Sequence, residues 1–218
     1  MASIILNSLL YLYFGIVVMA AIMSTWFRSS LQHPLNYIFI YLWLDVLVEI
    51  VVYLMNLNNM YSPEPYNWFG PIEFFFVTWL YFSFFRTSVE KNVLKSLFIG
   101  YSLFCLVHIS TLNHLNDYNL VFLIRSLLTT GITLFYFLKL YQNNQLIEMT
   151  KRPLFWISTG WLIFFMGSVF SMGLGQLIKQ MDKELGYSVY VLNALLNVYL
   201  FSMFIVSLLC SRRNPGFY

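Results

Sequence analysis

The stretch PLNYIFIYLWLDVLVEIVVYLMNL, residues 34–57, decides the fold of this chain. It is long enough to cross the hydrocarbon of a membrane as one helix, because about 20 apolar residues span about 30 Å. Two carboxylates, Asp45 and Glu49, nevertheless lie inside it. A charge at bilayer depth costs about 2.5–3.5 kcal/mol on insertion scales, so such residues face the interior of a helix bundle, where they pair or carry function.

The composition of the whole chain agrees with this segment. Hydrophobic residues make up 60% of the 218 residues, charged residues only 10%, and the mean hydropathy is +0.71. Soluble domains carry about 25% charged residues. We therefore predict an all-α integral membrane protein, a single domain of seven transmembrane helices. The predicted spans cover residues 4–26, 34–57, 66–86, 93–112, 118–141, 154–178 and 187–210.

The distribution of Lys and Arg predicts the orientation, because short cytoplasmic loops accumulate these residues. Nine of the 12 lie at the C-terminus, or in or within three residues of the loops between spans one and two, three and four, and five and six. The opposite side has only Lys179 and Lys183, and Arg125 lies within a span. We predict a multi-pass protein of the cell membrane, with the N-terminus outside and the C-terminus in the cytoplasm. The basic residues form no single groove, so no nucleic-acid partner is expected.

Three of the charges within spans fall at one depth. With a rise of 1.5 Å per residue, Glu49 lies about 12 Å below the outer surface, and Glu73 and Arg125 each lie about 10 Å below it. Polar side chains on spans four and seven reach similar levels. We predict a polar cavity in the outer half of the bundle, lined by spans two, three, five and seven. Its candidate ligand-binding residues are Glu49, Glu73, Arg125, Asn193, Asn197 and His108.

Asp45 lies deeper, close to the middle of the membrane, one helical turn from Glu49. The two carboxylates are candidates for a proton or cation relay along span two. Three acids face one permanent base, so at least one carboxylate must be protonated, hydrated or matched by a cation from outside the chain. The alternative is purely architectural: Arg125 pairs with Glu73 or Glu49, and asparagines join helices through hydrogen bonds.

Small residues and a proline give two further expectations. Gly160, Gly167, Ser171 and Gly175 in span six allow close helix packing, either within the bundle or between protomers. Pro71 precedes Glu73 by two residues and lies either in the first turn of span three or inside it, where it loosens the helix.

Metal and cofactor chemistry receive little support from the motifs. His108 with Glu49 and Glu73 would suit a zinc ion, since imidazole and carboxylates are its ligands. However, the chain has no HExxH motif and no second histidine deep in a span. Gly-x-Ser-x-Gly and glycine-rich phosphate loops are also absent from the sequence. We therefore predict no metal, no cofactor and, on balance, no enzyme.

Two segments carry a resemblance. The run Gly70-Pro71-Ile72-Glu73-Phe74-Phe75-Phe76 and the run PLFWISTG at residues 153–160 resemble small stand-alone seven-helix bacterial membrane proteins. The seven-span plan with an acid late in span two is similar, more distantly, to membrane input domains of bacterial histidine kinases. The Pro71-Ile72-Glu73 triplet is similar to part of the motif of integral-membrane lycopene cyclases, in which a second acid follows directly; here Phe74 follows.

Three functional hypotheses follow. The first is a receptor or sensor that binds a small or lipid-like ligand in the outer cavity and meets a cytoplasmic partner through loops 86–95 and 139–153. The second is a small proton- or cation-coupled transporter. The third is an intramembrane enzyme acting on a lipid or isoprenoid, with Glu73 as acid or base. The sequence leaves all three open, together with a purely structural role.

Overall fold

Helices form nearly all of the described chain. The computed structural model describes residues 2–31, 33–58, 64–111, 118–142, 145–181 and 183–213. This part contains seven α-helices and no strand, which confirms the all-α prediction. They are α1 (Ala2–Trp26), α2 (Ile38–Leu57), α3 (Glu64–Phe84), α4 (Ser88–Thr111), α5 (Tyr118–Gln142), α6 (Pro153–Met181) and α7 (Lys183–Arg213).

Five of these helices contain segments long and apolar enough to cross a membrane. The segments are Ser8–Trp26, Leu35–Leu57, Leu120–Gln142, Pro153–Ser171 and Ser188–Arg213. Large apolar side chains such as Leu47, Leu127 and Phe170 are exposed on them, as expected for residues that face lipid. Together these features identify a helical membrane protein. α3 and α4 are not among these five helices, and α4 carries the charged residues Glu90 and Lys91 close to its start.

Prolines mark two helix starts and interrupt a third helix. A short 3₁₀ turn at Leu35–Tyr37 follows Pro34 and leads into α2, and Pro153 is the first residue of α6. Pro71 lies inside α3, because this helix begins at Glu64 rather than near Gly70. Since proline has no N–H, the carbonyl of the residue four positions earlier, Asn67, loses its helical hydrogen bond. The helix is therefore weakened one turn before Glu73.

The small residues of span six pack α6 against α7, the most extensive helix contact in the described bundle. A Cβ atom on Gly160 would lie 2.9 Å from Met203 Cβ, and one on Gly167 would lie 2.6 Å from a methyl carbon of Leu196. This contact is within one chain, which is the first of the two expected forms of packing. Gly175 and the side chains of Lys179 and Lys183 lie outside the described part.

A layer of buried aromatic residues crosses the middle of the bundle. Ring centroids of Phe201 and Phe204 are 5.9 Å apart, Phe204 lies 5.9 Å from Trp161, and Trp161 lies 5.9 Å from Tyr81. The Tyr81 hydroxyl oxygen lies 2.8 Å from Ser158 Oγ, so a hydrogen bond satisfies it. This layer separates two cavities, one toward each end of the bundle.

Candidate ligand-binding site

The larger cavity lies between six helices, in the half of the bundle that contains the N-terminal ends of α1, α3, α5 and α7. Its volume is ≈ 370 Å³. The predicted residues Asp45, Glu49, Glu73 and Arg125 all line it, together with Asn193 and Asn197. The described side chains therefore bring together every predicted site residue except His108. Besides the four expected helices, α1 and α6 also contribute to the wall through Tyr13 and Phe164.

Arg125 pairs with Glu73. One guanidinium nitrogen lies 2.5 Å from Glu73 Oε2, and the two side chains are only 7% and 8% exposed. The Tyr41 hydroxyl donates a hydrogen bond of 3.3 Å to the other carboxylate oxygen of Glu73. The guanidinium carbon also lies 4.9 Å from the centre of the Phe122 ring, a cation–π contact. Of the two pairings that sequence left open, the structure has the one between α5 and α3.

Gly70 makes room for this pair. A Cβ atom at this position would lie 3.0 Å from the Tyr101 hydroxyl and 3.4 Å from a guanidinium nitrogen of Arg125. The absence of a side chain lets the guanidinium lie directly against the backbone of α3, one turn before Glu73. Within this segment, Gly70 lets the guanidinium approach the helix, Pro71 weakens the helix, and Glu73 supplies the carboxylate that pairs with Arg125.

Glu49 is held by tyrosines instead of by a cation. The hydroxyls of Tyr13 on α1 and Tyr66 on α3 donate hydrogen bonds of 2.8 Å and 3.1 Å to the same oxygen, Oε1. Bonds to a charged acceptor are about twice as strong as bonds between neutral groups. Glu49 therefore ties three helices together at the wall of the cavity.

Three buried polar atoms in this wall have no hydrogen-bond partner among the described groups. They are Asp45 Oδ2, Arg125 Nε and Asn193 Oδ1. A buried polar atom without a partner costs about 1–3 kcal/mol. Two of these atoms accept hydrogen bonds and one donates them. A ligand with a cationic donor group and an acceptor would satisfy all three.

Asn197 does not join two helices, although sequence left that role open. Its side-chain amide donates a hydrogen bond of 2.9 Å to the carbonyl of Asn193, one turn earlier in α7. Both side chains line the cavity. The described contacts of these asparagines therefore do not support the purely architectural alternative.

His108 is the predicted residue that does not lie among the described side chains of the cavity. It is half-exposed on α4, and its ring stacks on Phe104 with a centroid distance of 5.4 Å. Depth along a helix places a residue at a level but does not fix its direction around the helix axis. His108 has the expected level, but α4 contributes no described side chain to the wall.

Sequence reasoning missed the tyrosines that hold Glu49 and the aromatic residue on α6. Tyr66 lies near a predicted span end, where tyrosine usually marks the membrane interface. Tyr13 lies in a span without charged residues, so the search for charges at bilayer depth does not lead to it. The available signal was the depth of each residue, since Tyr13 on α1 falls near the level of Glu49.

Known proteins do not identify this chain. No family model matches it, and comparisons with curated proteins and with solved structures give no significant match. Its function must therefore be argued from the cavity itself.

Proposed function

We propose that this protein is a seven-span receptor or sensor of the cell membrane, with its N-terminus outside. In this proposal it binds a small ligand that carries a positive charge in the cavity between α2, α3, α5 and α7. The observation that carries the proposal is the charge arrangement. Arg125 is the single cation among the described lining residues and is already bonded to Glu73, whereas Asp45 has a buried oxygen without a partner.

The electrostatic argument favours a cation from outside the chain. At 4 Å and an effective dielectric constant of 20, opposite unit charges attract by about 4 kcal/mol. Asp45 and Glu49 are both available to such a charge, because the Glu49 hydrogen bonds come from neutral tyrosines. A ligand ammonium group between these two carboxylates would supply the missing countercharge.

The walls favour an organic cation. Phe69, Phe122, Phe164 and Phe201 line the cavity with Tyr13. Aromatic faces attract ammonium groups and also accept apolar substituents. The volume of ≈ 370 Å³ lies within the range of small-molecule sites, about 300–1,000 Å³. An amine with a short aromatic or aliphatic body fits these walls.

A receptor is favoured over a transporter by the aromatic layer below the cavity. Trp161 and Phe204 are fully buried, and Tyr41 is 1% exposed. The rings of Tyr41 and Trp161 pack against Phe204, with centroid distances of 5.7 Å for Tyr41 and 5.9 Å for Trp161, between the cavity and the other end of the described bundle. A proton- or cation-coupled transporter is the second candidate, because the unpartnered Asp45 lies at the deep end of the cavity, where a relay residue is needed.

The two loops predicted to meet a cytoplasmic partner are linked at the other end of the bundle. Lys139 Nζ lies 2.8 Å from Glu90 Oε1, which joins the end of α5 to the start of α4. Loop 86–95 and loop 139–153, of which residues 143 and 144 lie outside the described part, are thus neighbours. We propose that they form the surface for that partner.

Thermal unfolding in detergent micelles, followed by tryptophan fluorescence, tests ligand binding. The probes are benzylammonium, choline and butane-1,4-diammonium, and benzyl alcohol serves as the neutral analogue. At least one ammonium probe should raise the unfolding temperature of the wild type but not that of Asp45→Asn. Arg86→Gln is the control, because Arg86 is exposed and does not line the cavity. Equal stabilisation of Asp45→Asn, or an equal effect of benzyl alcohol, would contradict the proposal.

Reconstituted vesicles distinguish the two candidates. A receptor should bind the stabilising probe without moving it into the vesicle lumen. A transporter should instead take up radiolabelled probe when a pH gradient is applied, and Asp45→Asn should abolish this uptake. Such a result would favour the transporter over the receptor.

A further inference from the structure

A second cavity lies at the opposite end of the bundle, where α3 and α5 end and α2 and α6 begin. Its volume is ≈ 90 Å³, and Tyr136, Arg152, His33 and Ser83 line it between Pro34 and Pro153. The aromatic layer separates it from the larger cavity. We call it the basic-end cavity, because the exposed arginines Arg28, Arg86, Arg212 and Arg213 occupy helix ends on this side.

Two buried groups in the basic-end cavity lack hydrogen-bond partners. Tyr136 is fully buried, yet its hydroxyl has no partner among the described groups. Arg152 Nε is likewise buried without a partner. Leaving such a group unsatisfied costs about 1–3 kcal/mol. A ligand atom that forms a hydrogen bond with it would remove this cost. They come from different helical elements, the end of α5 and the residue before α6, and converge on one space.

The lining of this cavity suits an anion. Arg152 supplies a permanent positive charge, and Tyr136, Ser83 and His33 offer further donors. No carboxylate is among the described lining residues. Glu148, the carboxylate on the preceding 3₁₀ turn, is paired with Lys151 at 3.4 Å and is not part of the wall.

We propose that the basic-end cavity binds a phosphate group. A guanidinium matches the geometry of phosphate oxygens through parallel N–H donors. A space of ≈ 90 Å³ accommodates one such group. The cavity lies at the ends of helices, the level at which lipid headgroups meet a membrane protein. The phosphate comes either from a lipid headgroup or from free phosphate in solution.

Thermal unfolding of the full chain in detergent micelles tests this proposal in two arms. The lipid arm compares dioctanoyl phosphatidylglycerol with dioctanoyl glycerol, which lacks the phosphate. The solution arm compares potassium phosphate with potassium chloride at equal ionic strength. The variants are Arg152→Gln and Tyr136→Phe, and Arg86→Gln is the control for loss of an exposed arginine at the same end.

We expect stabilisation of the wild type and of Arg86→Gln in at least one arm, with at least a tenfold weaker apparent affinity in Arg152→Gln and Tyr136→Phe. Stabilisation by phosphatidylglycerol alone identifies a lipid headgroup, and stabilisation by potassium phosphate identifies free phosphate. Tyr136→Phe keeps the ring in place, so it remains informative if Arg152→Gln does not fold. No stabilisation in either arm, or an equal loss in Arg86→Gln, would overturn the proposal.

Discussion

Arg125 and Glu73 form a buried ion pair across α5 and α3, with a separation of 2.5 Å between a guanidinium nitrogen and Oε2. Arg125 is the single cation among the described lining residues of the larger cavity, and Glu73 neutralises its charge. Asp45 is consequently left with a buried oxygen that has no partner. Removing the charge of Glu73 should therefore destabilise the protein, whereas removing the charge of Asp45 should stabilise it.

Removing one partner of the Arg125–Glu73 pair should strongly destabilise the protein. Arg125→Gln or Glu73→Gln leaves the other charge buried and uncompensated, which costs about 3–5 kcal/mol. The double variant should lose less than the sum of the two single losses, because no uncompensated charge remains. Unfolding in mixed micelles with a denaturing detergent measures these differences. Additive losses would show that the pair does not couple.

Asp45→Asn should stabilise the protein in the absence of ligand. The substitution keeps the shape of the side chain and removes an unpartnered buried charge, for a gain of about 1–3 kcal/mol. Glu49→Gln is the matched comparison and should destabilise, because it weakens the two hydrogen bonds from Tyr13 and Tyr66. A lower unfolding midpoint for Asp45→Asn, as for Glu49→Gln, would mean that Asp45 has a partner in the folded protein.

Alanine substitutions should have different effects at three glycines. Gly160→Ala should cost about 1–3 kcal/mol, because the new methyl group would lie 2.9 Å from Met203 Cβ, which moves only with α7. Gly167→Ala should cost less, since it meets the flexible end of Leu196. Gly131→Ala is the control: nothing lies within 4 Å, and alanine favours helix by about 1 kcal/mol. An equal loss at Gly131, where the methyl group meets no neighbour, would mean that the contact between α6 and α7 does not determine the losses at Gly160 and Gly167.

Sequence reasoning placed the charges at the right level because the rise of a helix is fixed. Glu49, Glu73 and Arg125 line one cavity for that reason. The rise of a helix does not determine which side of the helix faces inward. His108 is for that reason among the predicted ligand-binding residues, although its ring stacks on Phe104. Sequence reasoning also could not choose between two carboxylates at one depth as the partner of Arg125, a choice that depends on lateral packing at Gly70.

The sequence does not predict the basic-end cavity, for a different reason. In the sequence, Arg152 is one of the nine basic residues that predict the orientation, and Tyr136 is one of 16 tyrosines. Their cooperation depends on how the end of α5 meets the start of α6. The 3₁₀ turn Gln145–Lys151 determines this approach, and no periodicity in the sequence specifies it.

The Glu90–Lys139 pair should make stability depend on pH in the acid range. The hydrogen bond from Lys139 lowers the pKa of Glu90 to about 2, helped by bonds from the backbone and hydroxyl of Thr87. In the unfolded chain the pKa is about 4.3. A lowered pKa means that the stabilisation is present above pH 4 to 5 and is lost as the pH falls toward 2.

Unfolding temperatures of the wild type and Glu90→Gln, measured from pH 6 to pH 2, check this expectation. The wild type should be more stable at pH 6, and the difference should shrink on acidification. Other carboxylates are common to both proteins, so they cancel in the comparison. A difference that stays constant over this range would mean that Lys139 does not bind the charged form of Glu90.

Cysteine labelling should establish the orientation and show that α3 crosses the membrane, although it is not among the five helices with a clearly membrane-spanning segment. The background is Cys105→Ala with Cys210→Ala, which removes the two native thiols, both of them buried. Asn58 follows α2 and Ser88 begins α4, and both are exposed. Asn58→Cys should react with a membrane-impermeant maleimide in intact cells, whereas Ser88→Cys should react only after permeabilisation. The reverse pattern would invert the orientation, and labelling of both positions in intact cells would show that α3 does not cross.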